Sequence, residues 1–398
     1  MCWRKRIWRV PRTSGASSEL FVLGCGPIVT HIDVVALAGD GIGPEVTEAV
    51  TRVLGGVASA YGHELTVRPH DVGWSAYERH GTPLPDTTLE ACVRGPAVFL
   101  GAVGDPRADG LSPEKRPEAA LLQLRRELGC FANLRPAKID EQLVGISALK
   151  PEVAVGTDLV IVRELTGGIY YGTPRGAEAG SDRTVNTLVY TEFEVERIAR
   201  IAFEMAGRRR GGLTSIDKAN VLEVSQLWRA VVDRVAGDYP DVSVGHMFVD
   251  RAAMELITAP TQFDVVLTSN LFGDILSDEA GAICGSLGLL ASASVGGEVG
   301  LYEPVHGSAP DIAGQGIANP IGGIRSAALM LSQSFDLQSE ARALEDAVTT
   351  VLAGGLRTPD LAGPNDASVS TSAFTDAVVE AVALGGARVG AASAEVSP

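Results

Sequence analysis

Ile32-Asp-Val-Val-Ala-Leu-Ala-Gly-Asp-Gly-Ile-Gly-Pro44 reads as a buried strand, a glycine-rich turn and the start of a helix. Ile32–Ala38 has the length and β-branched content of a strand, and Pro44 suits the first turn of a helix that we expect to reach about Ala60. Four further runs have strand character, with helical patterns between them: Val98–Val103, Leu159–Val162, Leu213–Asp217 and Asp264–Thr268. This alternation predicts an α/β protein.

The glycines of the turn do not match a dinucleotide fingerprint. Gly39, Gly41 and Gly43 fall at i, i+2 and i+4, whereas the Rossmann turn requires G-x-G-x-x-G. The sequence has no Walker A motif either. A structural role is therefore favoured for this turn, and a dinucleotide is expected to bind elsewhere.

Length and composition limit the class of protein. A chain of 398 residues, 45% of them hydrophobic, is long enough for two domains. The net charge of −16 argues against a nucleic-acid partner, because phosphate binding requires a concentrated basic face. Five scattered cysteines without a CxxC pair disfavour zinc and disulfides and indicate a reducing cytoplasm. No apolar run approaches the ~20 residues of a membrane span.

Both ends of the chain differ in composition from the rest. Residues 1–31 are basic and poor in acids, and we expect a disordered extension there. A signal peptide fits poorly, because Gly24, Gly26 and Pro27 interrupt the apolar segment, and a transit peptide remains an alternative. Residues 386–398, rich in Ala, Gly and Ser, are expected to form a disordered tail.

One helical segment places a carboxylate, two aliphatic side chains and a guanidinium in a row. Glu118, Leu121, Leu122 and Arg125 follow the spacing i, i+3, i+4, i+7 on a helix that begins at Pro117. An ordinary amphipathic helix would bury the leucines and leave the charges at the rim. The spacing alone favours that interpretation over a role in a site.

Two further arginines lie in segments rich in glycine, proline and apolar residues. Arg135 lies in Phe131-Ala-Asn-Leu-Arg-Pro136 and Arg163 in Val162-Arg-Glu-Leu-Thr-Gly-Gly168. A guanidinium binds a carboxylate through two parallel hydrogen bonds, so these arginines and Arg125 are consistent with a carboxylate clamp. Composition does not show whether the three converge.

The segment Asn270-Leu-Phe-Gly-Asp-Ile-Leu-Ser-Asp278 carries a pair of carboxylates, Asp274 and Asp278, one helical turn apart. Like charges at this spacing repel unless something positive lies between them. An all-oxygen site with few carboxylates suits Mg²⁺ or Mn²⁺. Two solvated acids are the alternative, and Asp250 is a weaker third candidate ligand.

Lys218 directly follows an apolar strand, in a chain with few lysines. A desolvated lysine can act as a base, whereas arginine cannot. Tyr170, in Thr166-Gly-Gly-Ile-Tyr-Tyr171, is a candidate proton donor, and Tyr171 is equally suitable by composition.

A segment of small residues, His306-Gly-Ser-Ala-Pro-Asp-Ile-Ala-Gly314, continues through Gly316 to Asn319-Pro320. Small residues let the backbone approach a ligand closely. Asp311 would bind ribose hydroxyls and repel a 2′-phosphate, which favours NAD over NADP. In isolation a plain surface turn is the more favoured interpretation.

Together these segments resemble the β-decarboxylating isocitrate/isopropylmalate dehydrogenase family. The resemblance runs from about Ile32 to residue 385. One of its motifs would be weak, but six in the family's order are highly specific: Gly39–Val46, Leu124–Arg135, Arg163–Gly172, Lys218–Glu223, Asn270–Ala280 and Glu303–Pro320.

The resemblance implies a two-domain α/β subunit without a Rossmann fingerprint. Its cofactor-binding domain would be discontinuous, formed by residues 32–130 and 285–385. Residues 131–284 would be an inserted domain that carries the metal and substrate site and the dimer contact. The family also implies a homodimer in which each active site borrows residues from the neighbouring subunit.

The resemblance also implies a role for each candidate residue. Arg125, Arg135 and Arg163 would hold the substrate's carboxylates. Asp274 and Asp278, with Asp250 of the partner subunit, would bind Mg²⁺ or Mn²⁺ and the substrate. Lys218, also from the partner, would help remove the hydroxyl proton, and Tyr170 would protonate the product. The residues implied to line the NAD site are Gly104, Asp105, Glu118, Glu303, His306, Gly307, Ser308, Ala309, Pro310, Asp311, Ile312 and Asn319.

The implied reaction is oxidation and decarboxylation of a 2-hydroxy diacid. Leu121 and Leu122, with Glu118 and Val221, would surround the substituent on the third carbon. Aliphatic walls favour the isopropyl group of 3-isopropylmalate, a leucine precursor, and the acid disfavours a third carboxylate. Isocitrate, homoisocitrate, tartrate and malate remain alternatives. A catalytically silent regulatory subunit is disfavoured, because every implied position is filled.

Overall fold

The structure is a computed structural model that describes residues 29–177, 180–363 and 366–394. Nearly all of the predicted amino-terminal extension, together with residues 395–398, lies outside these ranges. The strands are β1 (His31–Gly39), β2 (Glu64–His70), β3 (Ala97–Ala102), β4 (Ala132–Lys138), β5 (Asp158–Glu164), β6 (Gly176–Ala177), β7 (Thr184–Val185), β8 (Gly212–Asp217), β9 (Ser243–Phe248), β10 (Val265–Thr268), β11 (Ala291–Val295) and β12 (Gly300–Pro304). The helices are α1 (Gly43–Tyr61), α2 (Trp74–His80), α3 (Asp86–Arg94), α4 (Pro117–Glu127), α5 (Pro151–Ala154), α6 (Glu192–Arg208), α7 (Glu223–Ala236), α8 (Val249–Thr258), α9 (Asn270–Ile283), α10 (Ile321–Ser334), α11 (Gln338–Ala353) and α12 (Thr371–Ala394).

Ten strands form one mixed sheet in the order β2-β1-β3-β12-β11-β4-β5-β10-β8-β9. β2, β1, β3 and β12 are parallel to one another, and so are β5, β10, β8 and β9. Between these groups, β11 is antiparallel to both neighbours and β4 is antiparallel to β5. The α/β class is confirmed, and the five predicted strands occur within two residues of their expected ends.

Helices cover both faces of the sheet. In β1, Ile32 and Val34 join a core with α1, α10, α11 and α12, whereas Val35 and Leu37 face α3 and α4 on the other side. The same pattern holds farther along the sheet, where α6 and α7 pack on one face and α8 and α9 on the other. Alternate residues of a strand point to opposite faces, so these buried strands are apolar on both sides.

The polar segments singled out in the sequence follow strands at their carboxyl ends. In one parallel group, Asp40 follows β1, and the loops that contain Gly104 and His306 follow β3 and β12. In the other, Lys218 directly follows β8, and Asn270 begins the helix after β10. Ligands of open α/β sheets bind beyond the carboxyl ends of the strands, so the topology concentrates both sets there.

The division into two domains stays a prediction. The strands of residues 132–268 do lie side by side, at one end of the sheet.

The helix α12 continues to Ala394, so helical backbone extends into the stretch expected to be disordered; its alanine content favours a helix. Among the described residues, no helix has the length and apolar character needed to span a membrane.

Candidate active site

The three candidate clamp arginines converge, although they come from three different elements. Arg125 lies on α4, Arg135 in β4 and Arg163 near the end of β5. Burial lowers the pKa of Arg163, and the charges of Arg135 and Arg125 act in the same direction while Asp274 opposes them. Hydrogen bonds also join Arg135 and Arg163 to Asp278 and Asp274, which lie one turn apart on α9.

Each of these arginines is paired with a carboxylate. Nη2 of Arg125 donates to Oε1 of Glu303 at 2.7 Å. Nη1 of Arg135 donates to Oδ1 of Asp278 at 3.0 Å. Nη1 of Arg163 donates to Oδ1 of Asp274. In this arrangement the carboxylates of the predicted metal pair neutralise two of the three arginines.

Asp274 also joins the clamp to the candidate proton donor. Its second oxygen, Oδ2, accepts a hydrogen bond of 2.8 Å from the hydroxyl of Tyr170. Burial raises the pKa of Tyr170, and the neighbouring Asp274 raises it further, so the phenol keeps its proton at neutral pH. Both Tyr170 and Tyr171 are exposed, so it is this contact that distinguishes Tyr170.

Lys218 and Asp250 form a separate pair. Nζ of Lys218 hydrogen-bonds Oδ1 of Asp250, and this contact lowers the pKa of Asp250. In the described ranges, no three His, Cys, Asp or Glu side chains gather as a metal site. One chain therefore brings Asp274 and Asp278 together on α9 but does not bring Asp250 to them.

The helix α4, which carries Arg125, buries a different face from the one that carries Leu121 and Leu122. Its core side consists of Pro117, Ala120 and Leu124. Leu121 is only partly buried, and Leu122 is 59% exposed. The prediction that an ordinary amphipathic helix would bury both leucines is therefore wrong for Leu122, because the apolar stripe of α4 lies one position away.

The two candidate cofactor loops meet beside α4. A Cβ atom added to Gly104 would lie 3.3 Å from Oε1 of Glu118 and 3.4 Å from Oγ of Ser308. Nearby, Nε2 of His306 is buried without a hydrogen-bond partner among the described residues. Burial lowers the pKa of His306, so its ring is neutral at neutral pH. A close backbone approach and an unused buried ring nitrogen both fit a bound nucleotide.

The other predicted cofactor residues differ in exposure and in whether their polar groups already have hydrogen-bond partners. Asp311 is exposed, as are its neighbours Gly307 and Pro310, while Ala309 and Ile312 pack against a small apolar cluster. Asn319 is buried, and its amide already bonds the backbone N–H of Ile321 and the carboxylate of Asp360. Asp105 accepts hydrogen bonds from Arg107. Together with the pairing of Glu303, these contacts leave Asp311 and Glu118 as the exposed carboxylates of the group without a hydrogen-bond partner among the described residues.

The sequence analysis did not identify the residues whose hydrogen bonds hold Arg163 in place. Oδ1 of Asn270 accepts from Nε and Nη2 of Arg163 at 3.2 and 2.9 Å. The backbone N–H of Asn270 donates to the hydroxyl of Tyr190 at 2.9 Å, and that hydroxyl donates to the fully buried Glu164. The position of Glu164 at the end of an apolar strand was an available signal. Tyr190 carried no local signal, because its partners are distant in the chain.

Comparison with known proteins agrees with this fold. The sequence model described as isocitrate/isopropylmalate dehydrogenase matches residues 33–378. The chain belongs to the isocitrate/isopropylmalate dehydrogenase family. It is 54% identical over 346 residues to 3-isopropylmalate dehydrogenase of Chlorobium chlorochromatii, covering 87% of this chain and 98% of that protein. It is 58% identical over 332 residues to 3-isopropylmalate dehydrogenase of a Synechococcus species, covering 82% of this chain and 90% of that protein.

Among solved structures, isocitrate dehydrogenase of Methylococcus capsulatus is similar to this chain, with a TM-score of 0.76 and 36% identity. The match covers 88% of this chain and 99% of that one. The family prediction made from the ordered motifs is thus confirmed.

We predict that Tyr190→Phe destabilises the fold, although it keeps the ring that packs against Gly167 and Gly168. The change leaves the buried N–H of Asn270 without an acceptor, which costs about 1–3 kcal/mol of unfolding free energy. Urea unfolding measures this loss. Tyr239→Phe, whose ring stacks on Phe203 away from the site, is the matched control and should cost less. Equal stability of Tyr190→Phe and the parent would contradict the proposed support.

Proposed function

We propose that this protein oxidises and decarboxylates 3-isopropylmalate to 4-methyl-2-oxopentanoate with NAD and Mg²⁺ or Mn²⁺, a cytoplasmic step of leucine biosynthesis. The observation that carries the proposal is that Arg135 and Arg163 bond Asp278 and Asp274, which lie one turn apart on α9. Arginines suited to bind a diacid, carboxylates suited to bind a divalent cation and a tyrosine suited to donate a proton thereby lie in one site. The names of the relatives, at 54% and 58% identity, support the same substrate.

The arginines are proposed to bind the two carboxylates of the substrate. A malate derivative carries two negative charges, and a guanidinium forms two parallel hydrogen bonds with a carboxylate. In the free protein Arg135 and Arg163 are engaged by Asp278 and Asp274. Substrate binding therefore requires an exchange, in which the arginines turn to the substrate and the aspartates become free.

The residues present fit a divalent cation. Asp274 and Asp278 offer only oxygen donors, and the Asp278 side chain is 71% exposed. Held by Asp274 and Asp278, a divalent cation would supply Lewis-acid stabilisation of the negative charge that develops on the substrate. The carboxylate of Asp250 is proposed to reach the same site from the partner subunit.

Two side chains are proposed to move protons. Lys218 of the partner subunit would take the proton of the C2 hydroxyl, and NAD would be the hydride acceptor. After the bond between C3 and its carboxylate breaks, Tyr170 returns a proton to C3. The raised pKa of Tyr170 keeps its proton available for this step, and the bond to Asp274 orients it.

The proposed cofactor is NAD, held where the loops after β3 and β12 meet. The free Nε2 of His306 and the close approach of Gly104 to Ser308 support a nucleotide there. Asp311 is exposed, and its negative charge would repel a 2′-phosphate. NAD is therefore favoured over NADP.

Exposed aliphatic groups support the isopropyl substituent. Leu122 is 59% exposed and Val221 is 62% exposed, so neither serves the core of its own chain. Isocitrate is the second candidate, because a solved structure of that name is 36% identical. Its third carboxylate would lie beside Glu118 without a counterion, which is costly.

The initial rate of NADH formation with Mg²⁺, for 3-isopropylmalate, isocitrate, tartrate and malate at equal concentration, tests the proposal. We expect the rate to be highest with 3-isopropylmalate. EDTA, which removes the metal, should abolish NADH formation. The variant Leu122→Ser should reduce this preference, because aliphatic complementarity contributes about 1–3 kcal/mol. Leu384→Ser, an exposed leucine on α12, is the matched control.

Other outcomes of this assay have defined meanings. A preference for isocitrate would preserve the reaction and overturn the substrate. Turnover of none of the four would favour a silent regulatory subunit. Unchanged specificity of Leu122→Ser would remove Leu122 from the substrate pocket.

The subunit is proposed to function as a homodimer with shared sites. Met254 and Ile257 on α8 and Ile275 on α9 are between 49% and 68% exposed, and these two helices pack together. Exposed aliphatic groups on neighbouring helices are typical of a surface that another subunit covers. The pair of Lys218 and Asp250 lies beside this surface, at the start of α8.

Complementation tests the shared sites. Lys218→Ala and Asp274→Asn should each be inactive as homodimers. In a mixed dimer, one of the two sites would contain both native residues, so random mixing should restore about a quarter of the native activity. Co-expression of the two variants provides the measurement. Absence of recovery, with mixed dimers demonstrated by tags, would show that each site lies within one chain.

A further inference from the structure

The glycine-rich turn after β1 holds the two proposed cofactor loops. We infer that Asp40 is a positioning residue that fixes the loop after β3 relative to the loop after β12. The inference rests on the proposed NAD site, and it assigns a role to a turn that lacks a nucleotide fingerprint. It is carried by contacts that Asp40, Gly41 and Ile42 make with three distant segments.

The carboxylate of Asp40 accepts three backbone hydrogen bonds. Oδ2 accepts from the N–H of Gly104 at 3.0 Å and from that of Trp74 at 2.9 Å, while Oδ1 accepts from Ser75 at 3.0 Å. Asp40 is only 5% exposed and has no ion-pair partner among the described residues, so these N–H groups stabilise its charge. One side chain thereby ties the loop after β3 to the start of α2.

A second set of contacts joins the loop after β3 to α2. Arg107, in the same loop as Gly104, pairs with Asp105 and with Glu78 on α2. Its guanidinium also lies 5.0 Å from the centre of the Trp74 ring. The loop and α2 therefore form one unit, and Asp40 joins that unit to the sheet.

The next two residues of the turn hold the other loop. The N–H of Ile42 donates to the carbonyl of Ser308 at 2.8 Å. Gly41 has a φ of +57°, and a Cβ there would lie 1.9 Å from the same carbonyl oxygen. The side chain of Ile42 packs in a cluster with Ala309 and Ile312. The loop after β12 is thus fixed to the residues directly beside Asp40.

A dinucleotide that spans both loops requires a defined distance between them. Three consecutive residues set this distance, because Asp40 binds one loop and Gly41 and Ile42 contact the other. Misplacement of one loop should weaken cofactor binding. It should leave the arginine clamp, which stands on β4, β5 and α4, unchanged.

The test is Asp40→Asn, which retains size but replaces one acceptor oxygen with a donor. Binding of NAD and of 3-isopropylmalate with Mg²⁺ is measured separately by calorimetry. We expect the Kd for NAD to rise about tenfold or more, since each tenfold step corresponds to 1.4 kcal/mol. The Kd for 3-isopropylmalate and kcat at saturating NAD should change less than about threefold.

Asp264→Asn is the matched control. Asp264 is 4% exposed and also accepts backbone bonds, from Arg210 and Gly212, but it precedes β10 at the opposite end of that strand. Both variants should lower the thermal midpoint, and only Asp40→Asn should weaken NAD binding. A lowered midpoint with unchanged NAD binding in Asp40→Asn would overturn the inference. Equal weakening of NAD and 3-isopropylmalate binding would also overturn it.

A second variant keeps the inference testable if Asp40→Asn does not fold. Gly41→Ala introduces a Cβ against the carbonyl of Ser308 and should displace the loop after β12. ADP-ribose binding should weaken, whereas Gly62→Ala, a positive-φ glycine with open space around it, should leave it unchanged. Equal ADP-ribose affinity in both would contradict the inference. Failure of the parent protein to bind NAD would instead refute the proposed cofactor.

Discussion

Three guanidinium groups share one small site in a chain of net charge −16, and a carboxylate lies against each of them. Without Glu303, Asp278 and Asp274, the mutual repulsion of the arginines would oppose their convergence. Two of these carboxylates are also the proposed metal ligands. The same ion pairs hold these arginines in the free protein, and under the proposed function they would be exchanged when substrate and metal bind.

The site depends on where the strands end. Arg163 lies at the carboxyl end of β5, and α9 begins with Asn270 just beyond the end of β10, its parallel neighbour. That adjacency lets the side-chain oxygen of Asn270 accept from Arg163. The backbone N–H of Asn270 donates to the hydroxyl of Tyr190, which in turn donates to Glu164. The other parallel group repeats the principle with Asp40 and the two loops beside it. Both proposed binding regions thus stand on strand ends that the sheet holds in register.

The sequence predicted what depends on local pattern. The strand Ile32–Ala38, the helix after Pro44 and the start of α4 at Pro117 follow from periodicity and proline placement. It did not reveal that Leu122 is exposed, because the buried stripe of α4 depends on which residues meet the sheet. It also could not show that Asp40 binds Gly104, or that Tyr190 supports Asn270, because such contacts join segments far apart in the chain.

The most direct test of this exchange of partners is the affinity for 3-isopropylmalate without and with Mg²⁺, measured by calorimetry in the absence of NAD. If Asp274 and Asp278 hold a cation as proposed, Arg163 and Arg135 would become free for the substrate, so the two ligands should assist each other's binding. We predict that saturating Mg²⁺ lowers the Kd for 3-isopropylmalate about tenfold or more. An equal Kd with and without Mg²⁺ would contradict the account, because the arginines would then be free without the metal.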